Sequence, residues 1–234
     1  MEEMKVKIIE NGPYIVTGNV PLKKIVMVSD KNGHATKFQK KEKVLDPSNY
    51  SLCRCGNSKK KPFCDGNHNN TDFNGEEVAS KNIFKEKARI FETDKFKLID
   101  AIELCDHSRF CLRQGGIRNL IEKGDSKSIA IAKKEASLCP SGRLLLWDKE
   151  NNTSTENDYE KEIILIYDDE KNCEGPIWLK GKIPLESSNN ELYETRNRIT
   201  LCRCGKSKNK PFCDGNHWMD EEIEEKFRKK WGLD

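Results

Sequence analysis

Cysteine and histidine spacing constrains this chain more than any other feature: "CRCGNSKKKPFCDGNH" from Cys53 to His68 returns as "CRCGKSKNKPFCDGNH" from Cys202 to His217. Both stretches obey C-x-C-x8-C-x3-H and also share Gly, Ser, Pro, Phe, Asp and Gly. Cys53 and Cys55 are one residue apart, so their thiolates converge only if the backbone turns sharply, and Gly56 follows at once to allow that. Cys64 and His68 are one helical turn apart, where side chains stack on one face. Each loop therefore offers two ligand pairs, a four-ligand site of three thiolates and one imidazole. A tetrahedral structural zinc and a 2Fe-2S cluster both accept that set. Zinc modules usually space paired cysteines more widely and take the second pair from another element, so the spacing favours the cluster.

The rest of the composition agrees with a cross-linked fold. An apolar share of 35% in 234 residues, against roughly 45 to 50% in ordinary domains, predicts a thin core that needs metal or covalent staples. The start "MEEMKVKIIENG" lacks a signal-type apolar segment, and no apolar run reaches the length of a membrane span. The expectation is a cytoplasmic protein with no membrane partner, whose ten cysteines serve metal and not disulfides. A net charge of +3 does not point to nucleic acid.

The repeat extends beyond the loops, because "NGPYIVTGNVPL" (Asn11 to Leu22) is echoed by "EGPIWLKGKIPL" (Glu174 to Leu185). Strands are expected at Lys5 to Ile9, Tyr14 to Thr17, Lys24 to Val28, Glu162 to Tyr167 and Ile177 to Lys180. The first copy carries an insertion around "SDKNGHATKFQKKEK", expected as a surface hairpin or loop. Two matched half-domains in one chain predict packing about a pseudo-twofold axis, so that a monomer imitates a dimer. Between them lies a partly helical insert, with helical periodicity near Phe96 to Cys105 and Ser128 to Leu138 and then a short apolar strand. "DKENNTSTENDYEK" reads as a linker. In the tail, Ile223, Phe227 and Trp231 share one face of a helix expected to dock on the core. The fold class expected is α+β, mainly β, with units at residues 1–91, 92–150 and 151–234.

The pattern C-x-C-x2-S-x3-P-x-C-D-G-x-H of both loops resembles that of the CDGSH iron-sulfur (NEET-type) family. The segments "GPIWLKGKIPL" and "ELYETRNRITL" are similar to the bacterial and archaeal members that carry two motifs. One departure is shared: Asn67 and Asn216 stand where the family has Ser, at a position that is not a ligand. The resemblance implies one 2Fe-2S cluster per loop. Cys53 and Cys55 would hold the inner iron and Cys64 and His68 the outer one, with Cys202, Cys204, Cys213 and His217 repeating these roles. Three thiolates and a neutral imidazole leave less negative charge than four thiolates, which raises the reduction potential in the direction seen for Rieske centres. The imidazole can also be protonated, which weakens its iron bond.

Around the loops, Asp65 and Asp214 are expected to cap the turns, and Gly66 and Gly215 to let the backbone approach the sulfides. Arg54, Arg203 and Lys59, Lys60, Lys61, Lys206, Lys208 and Lys210 are expected to be solvated and to attract an acidic redox partner. Phe63 and Phe212 are expected as shields for the clusters.

"CDHSRFC" from Cys105, followed by "CPSG" from Cys139, is similar to a divergent mono-cluster ferredoxin domain. Cys105, Cys111 and Cys139 would be ligands, with Ser108 where another cysteine belongs and His107 as an alternative donor. A metal-free helical domain with buried thiols is the competing possibility. Cys173 and His34 have no counterpart in the other repeat and receive no role.

No nucleophile with its base and no phosphate loop is present, so the expected function is electron or cluster transfer without catalysis, with a redox or cluster-acceptor protein as partner. The alternative is a zinc-stapled module that binds RNA or protein.

Overall fold

The computed structural model describes residues 2–45 and 49–231, with the side chains of 40, 41, 45, 227, 228 and 231 left aside. Short alternating runs build its first two sheets. β1 (Lys5–Ile8) buries Val6 and Ile8, and β2 (Tyr14–Thr17) buries Tyr14 and Val16, as a half-covered strand requires. β3 (Leu22–Ser29), β4 (Ala35–Leu45) and β5 (Tyr50–Leu52) complete the strands of the first half. The second half supplies β10 (Glu162–Asp168), β11 (Cys173–Lys180), β12 (Leu185–Glu186) and β13 (Arg198–Leu201).

Neither half closes a sheet by itself. The first sheet runs β12-β1-β2-β5 and the second β13-β11-β10-β3-β4. β1 pairs in parallel with β12 of the other half, and β10 pairs in parallel with β3. Aside from the added β4, the two orders are the same when the halves are exchanged, each sheet taking its outer strand from the other half. One core lies between them, where Val6, Ile8, Val16 and Leu52 meet Ile163, Leu165, Ile177, Leu179 and Leu201.

The two sheets differ on their outer faces. Lys5, Lys7, Ile15 and Thr17 on the first are only partly covered. β10 is buried along almost its whole length, because Ile164, Ile166 and Trp178 pack in a second cluster with Ile25, Met27 and Phe110. The polar insertion forms the β3–β4 hairpin. It is more than a surface feature: Ala35 is fully buried and Phe38 stacks on Phe110 at 4.8 Å and Trp178 at 5.4 Å.

The insert forms a third sheet, β6 (Arg89–Glu92), β7 (Phe96–Asp100), β8 (Leu144–Asp148) and β9 (Thr153–Ser154), in the order β6-β7-β8-β9. It reaches slightly beyond the expected 92–150 at both ends. The helical expectation for Phe96 to Cys105 is corrected: Phe96 to Asp100 is strand and Ile102–Leu104 a single 3-10 turn. A short apolar run carries either period, and the burial of Asp100 by its ion pair with Arg143 at 2.6 Å completes a strand-like alternation. The second helix is present as α3 (Ser126–Leu138), with Asp125 accepting from the amides of Lys127 and Ser128 at its start. It follows α1 (Phe84–Lys87) and α2 (Ile117–Lys123).

The insert is fastened to the second half. Arg109 pairs with buried Asp168 at 2.8 Å, and Arg198 donates to the carbonyls of Ala136 and Cys139 and to Glu156. Glu156 thus ties down part of the expected linker. α4 (Glu221–Trp231) is the last of the described elements. Ile223 is exposed, so that part of the expected docking stripe faces solvent, while the side chains of Phe227 and Trp231 lie outside the described residues. Among the described residues, no helix is long and apolar enough to cross a membrane.

Candidate metal centres

Each Cys/His loop grows from the end of a strand, β5 or β13, and is braced by the same bonds. Cys53 N donates to Pro62 O at 2.8 Å and Cys64 N to Ser51 O at 2.9 Å; Cys202 N donates to Pro211 O at 2.9 Å and Cys213 N to Thr200 O at 2.9 Å. Ser58 Oγ donates to Phe63 O at 2.6 Å, and Ser207 Oγ to Phe212 O at 2.7 Å. Asp65 accepts from the amides of Lys59 at 2.8 Å and Asn67 at 3.1 Å; Asp214 accepts from those of Lys208 at 2.7 Å and Asn216 at 3.1 Å. The Ser and Asp common to both motifs are thus structural braces that fix the ligand positions.

Glycine positions the two loops against each other. Gly56 and Gly205 have φ of 79° and 80°, in the left-handed region that glycine enters without penalty. A Cβ on Gly56 would lie 2.6 Å from the Cys204 carbonyl oxygen, and one on Gly205 would lie 2.6 Å from that of Cys55. The loops therefore sit back to back. Tyr14 ties them further by donating to Cys202 O at 2.8 Å.

The candidate ligands come together in pairs. Sγ to Sγ is 3.7 Å for Cys53 and Cys55 and 3.7 Å for Cys202 and Cys204. Sγ to Nδ1 is 3.5 Å for Cys64 and His68 and 3.5 Å for Cys213 and His217. Two donors on one tetrahedral ion, with metal-sulfur bonds near 2.3 Å and metal-nitrogen bonds near 2.0 to 2.1 Å, stand about 3.8 Å apart as S and S and about 3.5 Å apart as S and N. Each pair has the bite of one such ion. Among the described residues no three His, Cys, Asp or Glu side chains converge on a single point.

Electrostatics distinguish the two loops. The hydrogen bond with Cys204 draws the Cys202 thiol down to about 6 and pushes Cys204 well up, as expected of two thiols holding one proton. Burial, followed by the charge of Cys202, raises Cys213 far above its ordinary value. Burial pushes the His217 imidazole down to about 4. In the first loop burial raises Cys55. Binding of a metal must displace these protons, since thiolate and neutral imidazole are the ligating forms.

One expectation about the surroundings is corrected. Arg54 and Arg203 are not solvated: Arg54 is 2% exposed and donates to the carbonyls of Ile9 and Gly75, and Arg203 donates to Gly175 O at 2.6 Å and Ile166 O at 2.8 Å. Each guanidinium thus spends its donors on backbone carbonyls outside the loop and not on solvent. Phe212 belongs to the central core, with Phe63 packed against it.

In the insert, Cys105, Cys111 and Cys139 line one cavity of about 20 Å³, with Asp106, Ser108 and Arg143 on its walls. Burial pushes the Cys111 thiol up to about 12 and raises Cys105. The Ser108 hydroxyl donates to Asp106 Oδ1 at 2.9 Å. His107 is not part of this wall; its ring meets Trp218 edge-on at 6.1 Å and its Cδ2 lies 2.6 Å from where a Gly215 Cβ would be. Sequence reasoning missed Arg143, which donates to Cys105 Sγ at 2.8 Å while pairing with Asp100. Its only signal was a basic residue three positions past the Cys139-Pro pair. Three thiols and a buried guanidinium around one cavity suit an anionic cluster.

These centres place the chain among iron-sulfur proteins. Residues 11–69 and 174–218 match the model of the iron-binding zinc finger CDGSH type family, and residues 91–149 match that of the divergent 4Fe-4S mono-cluster family. The chain thus carries two CDGSH-type iron-binding domains with a divergent mono-cluster domain between them. No curated protein and no solved structure matches it.

Proposed function

We propose that each loop holds one 2Fe-2S cluster, through Cys53, Cys55, Cys64 and His68 in the first and Cys202, Cys204, Cys213 and His217 in the second. The protein then carries electrons or clusters for other proteins and catalyses no reaction of its own. The observation that carries this reading is the division of each ligand set into two pairs, each with the bite of one tetrahedral ion. One zinc ion would draw all four donors to a single point.

A bound 2Fe-2S core supplies one-electron chemistry. The chain's own residues prepare for it. The Ser and Asp braces fix the donors before binding, Arg203 sets a positive charge beside Cys204 and Cys213, and the core aromatics keep water from the inner cysteines. Cys105, Cys111 and Cys139 hold a further cluster of three or four irons, whose charge Arg143 offsets.

The halves are related by a pseudo-twofold axis, a reading supported by the exchanged outer strands and the reciprocal glycine contacts. The partner is a protein with an acidic face, because Lys59 and Lys60 are exposed beside the first centre. Ten free cysteines fit the reducing cytoplasm.

The test is an iron, zinc and sulfide count with visible and electron paramagnetic resonance spectra of anaerobically purified protein. About four iron and four sulfide per chain fill the loops, and about seven or eight iron fill the insert as well. Zinc without sulfide would refute the proposal.

A further inference from the structure

The two loops share their backbone braces and differ in what surrounds the outer ligand pair, although at the inner pair Cys55 is buried and Cys204 half-buried. In the first, nothing lies within 4 Å of a Cβ built on Gly66; in the second, the same position on Gly215 meets His107 Cδ2 at 2.6 Å and Met219 Cε at 3.0 Å. Cys64, Gly66 and Asn67 are half-buried, whereas Cys213, Gly215 and Asn216 are buried. The residues after the histidine repeat the contrast. Asn69 and Asn70 are exposed, while Trp218 and Met219 are half-buried, with Trp218 against the His107 ring and under the Arg109 guanidinium at 5.4 Å. The covering comes from the insert and from α4. Glu103 O accepts from Asn209 Nδ2 at 2.7 Å, and Glu224 on α4 pairs with Lys208 at 2.9 Å.

We propose that the insert is a built-in cap on the second centre, and that the first centre is the one that passes its iron and sulfide to an acceptor protein. This rests on the reading that both loops hold 2Fe-2S clusters. The transfer is ligand substitution with no change of oxidation state. An acceptor offering four cysteine thiols releases four protons as it binds; Cys53, Cys55 and Cys64 take up three, and solvent takes the fourth. Access decides which centre gives up its cluster, because an incoming thiol must reach the outer iron. At the second loop His107 and Trp218 stand in that approach.

The first measurement needs no variant. Asn67 N and Asn216 N make the same hydrogen bond, 3.1 Å to the aspartate two residues earlier, so a difference in their hydrogen exchange reports covering and not bonding. Asn216 is expected to exchange at least about tenfold more slowly; equal rates overturn the proposal.

The second measurement follows visible absorbance of the full chain, with its clusters, under an iron chelator without oxygen. Bleaching in two phases is expected, with the slow phase kept in Cys64→Ser and lost in Cys213→Ser. His107→Asn keeps a residue that tolerates the left-handed backbone there (φ 59°), and Trp218→Asn installs the residue type of Asn69. Each should bring the slow phase towards the fast one and leave the fast phase unchanged. A single phase, a slow phase that belongs to the first loop, or a slow phase indifferent to both substitutions overturns the cap while leaving the cluster reading intact. Absence of sulfide from both loops removes both.

Discussion

Side by side, the loops at Cys53–His68 and Cys202–His217 show how one motif can be built twice and housed differently. Their braces agree to within about a tenth of an ångström, because every bond closes between residues of the same short segment. Their environments diverge because the insert brings His107, with Trp218 beside it, onto the second loop, while nothing meets the matching Gly66 of the first. Internal geometry is a local property, whereas solvent access depends on what the intervening chain covers.

The largest effect expected from attacking that asymmetry is Phe110→Ala. Phe110 is 2% exposed between Phe38 and the second sheet, and its loss should cost about 4 kcal/mol in chemical denaturation while loosening the cover on the second centre. Next comes a matched pair. Gly66→Ala meets only the left-handed backbone, a cost of about 1 kcal/mol; Gly215→Ala adds a collision with His107 and should cost about 3 kcal/mol. Equal values for the two would erase the distinction drawn here.

A smaller effect tests the insert alone. Glu135 on α3 is fully buried and neither carboxylate oxygen has a hydrogen-bond partner among the described residues. Burial pushes it up to about 7, against a weaker opposing pull from Arg113. Between its unfolded value of 4.5 and 7 the folded chain holds a proton that the unfolded chain has released, so stability falls as pH rises through that window. Glu135→Gln should flatten the dependence and stabilise the protein at pH 8 relative to pH 5 by about 2 kcal/mol, read from denaturation midpoints at the two values. Smallest of all, Lys59→Glu with Lys60→Glu should slow delivery to an acidic acceptor by severalfold at low salt and have little effect at high salt.

Much of the site was legible beforehand because it is local. The pairing of the candidate ligands and the turn role of Asp65 and Asp214 follow from spacing, and the structure brings each pair together; the insert's three cysteines, which only a family resemblance singles out, line one cavity. What escaped depends on distant partners. The strand at Phe96 to Asp100 reads as helix in the sequence because its alternation needs Asp100 buried, and the cations that make that burial tolerable, Arg143 and the more exposed Arg118, lie far along the chain. Arg54 and Arg203 looked like surface charges until their carbonyl acceptors were known. His107 looked like a spare ligand because sequence gives no hint that it meets Gly215. The sharing of strands between halves is equally silent, since a parallel pairing of β1 with β12 links residues about 180 positions apart.

That exchange of outer strands has a consequence for how the protein can be taken apart. Severing the chain between the repeats would not release two self-sufficient modules, since each fragment would lack an edge that its twin supplies. The fragments should regain order only when mixed, and an intact chain warmed to its limit should surrender both ends of the molecule in one event.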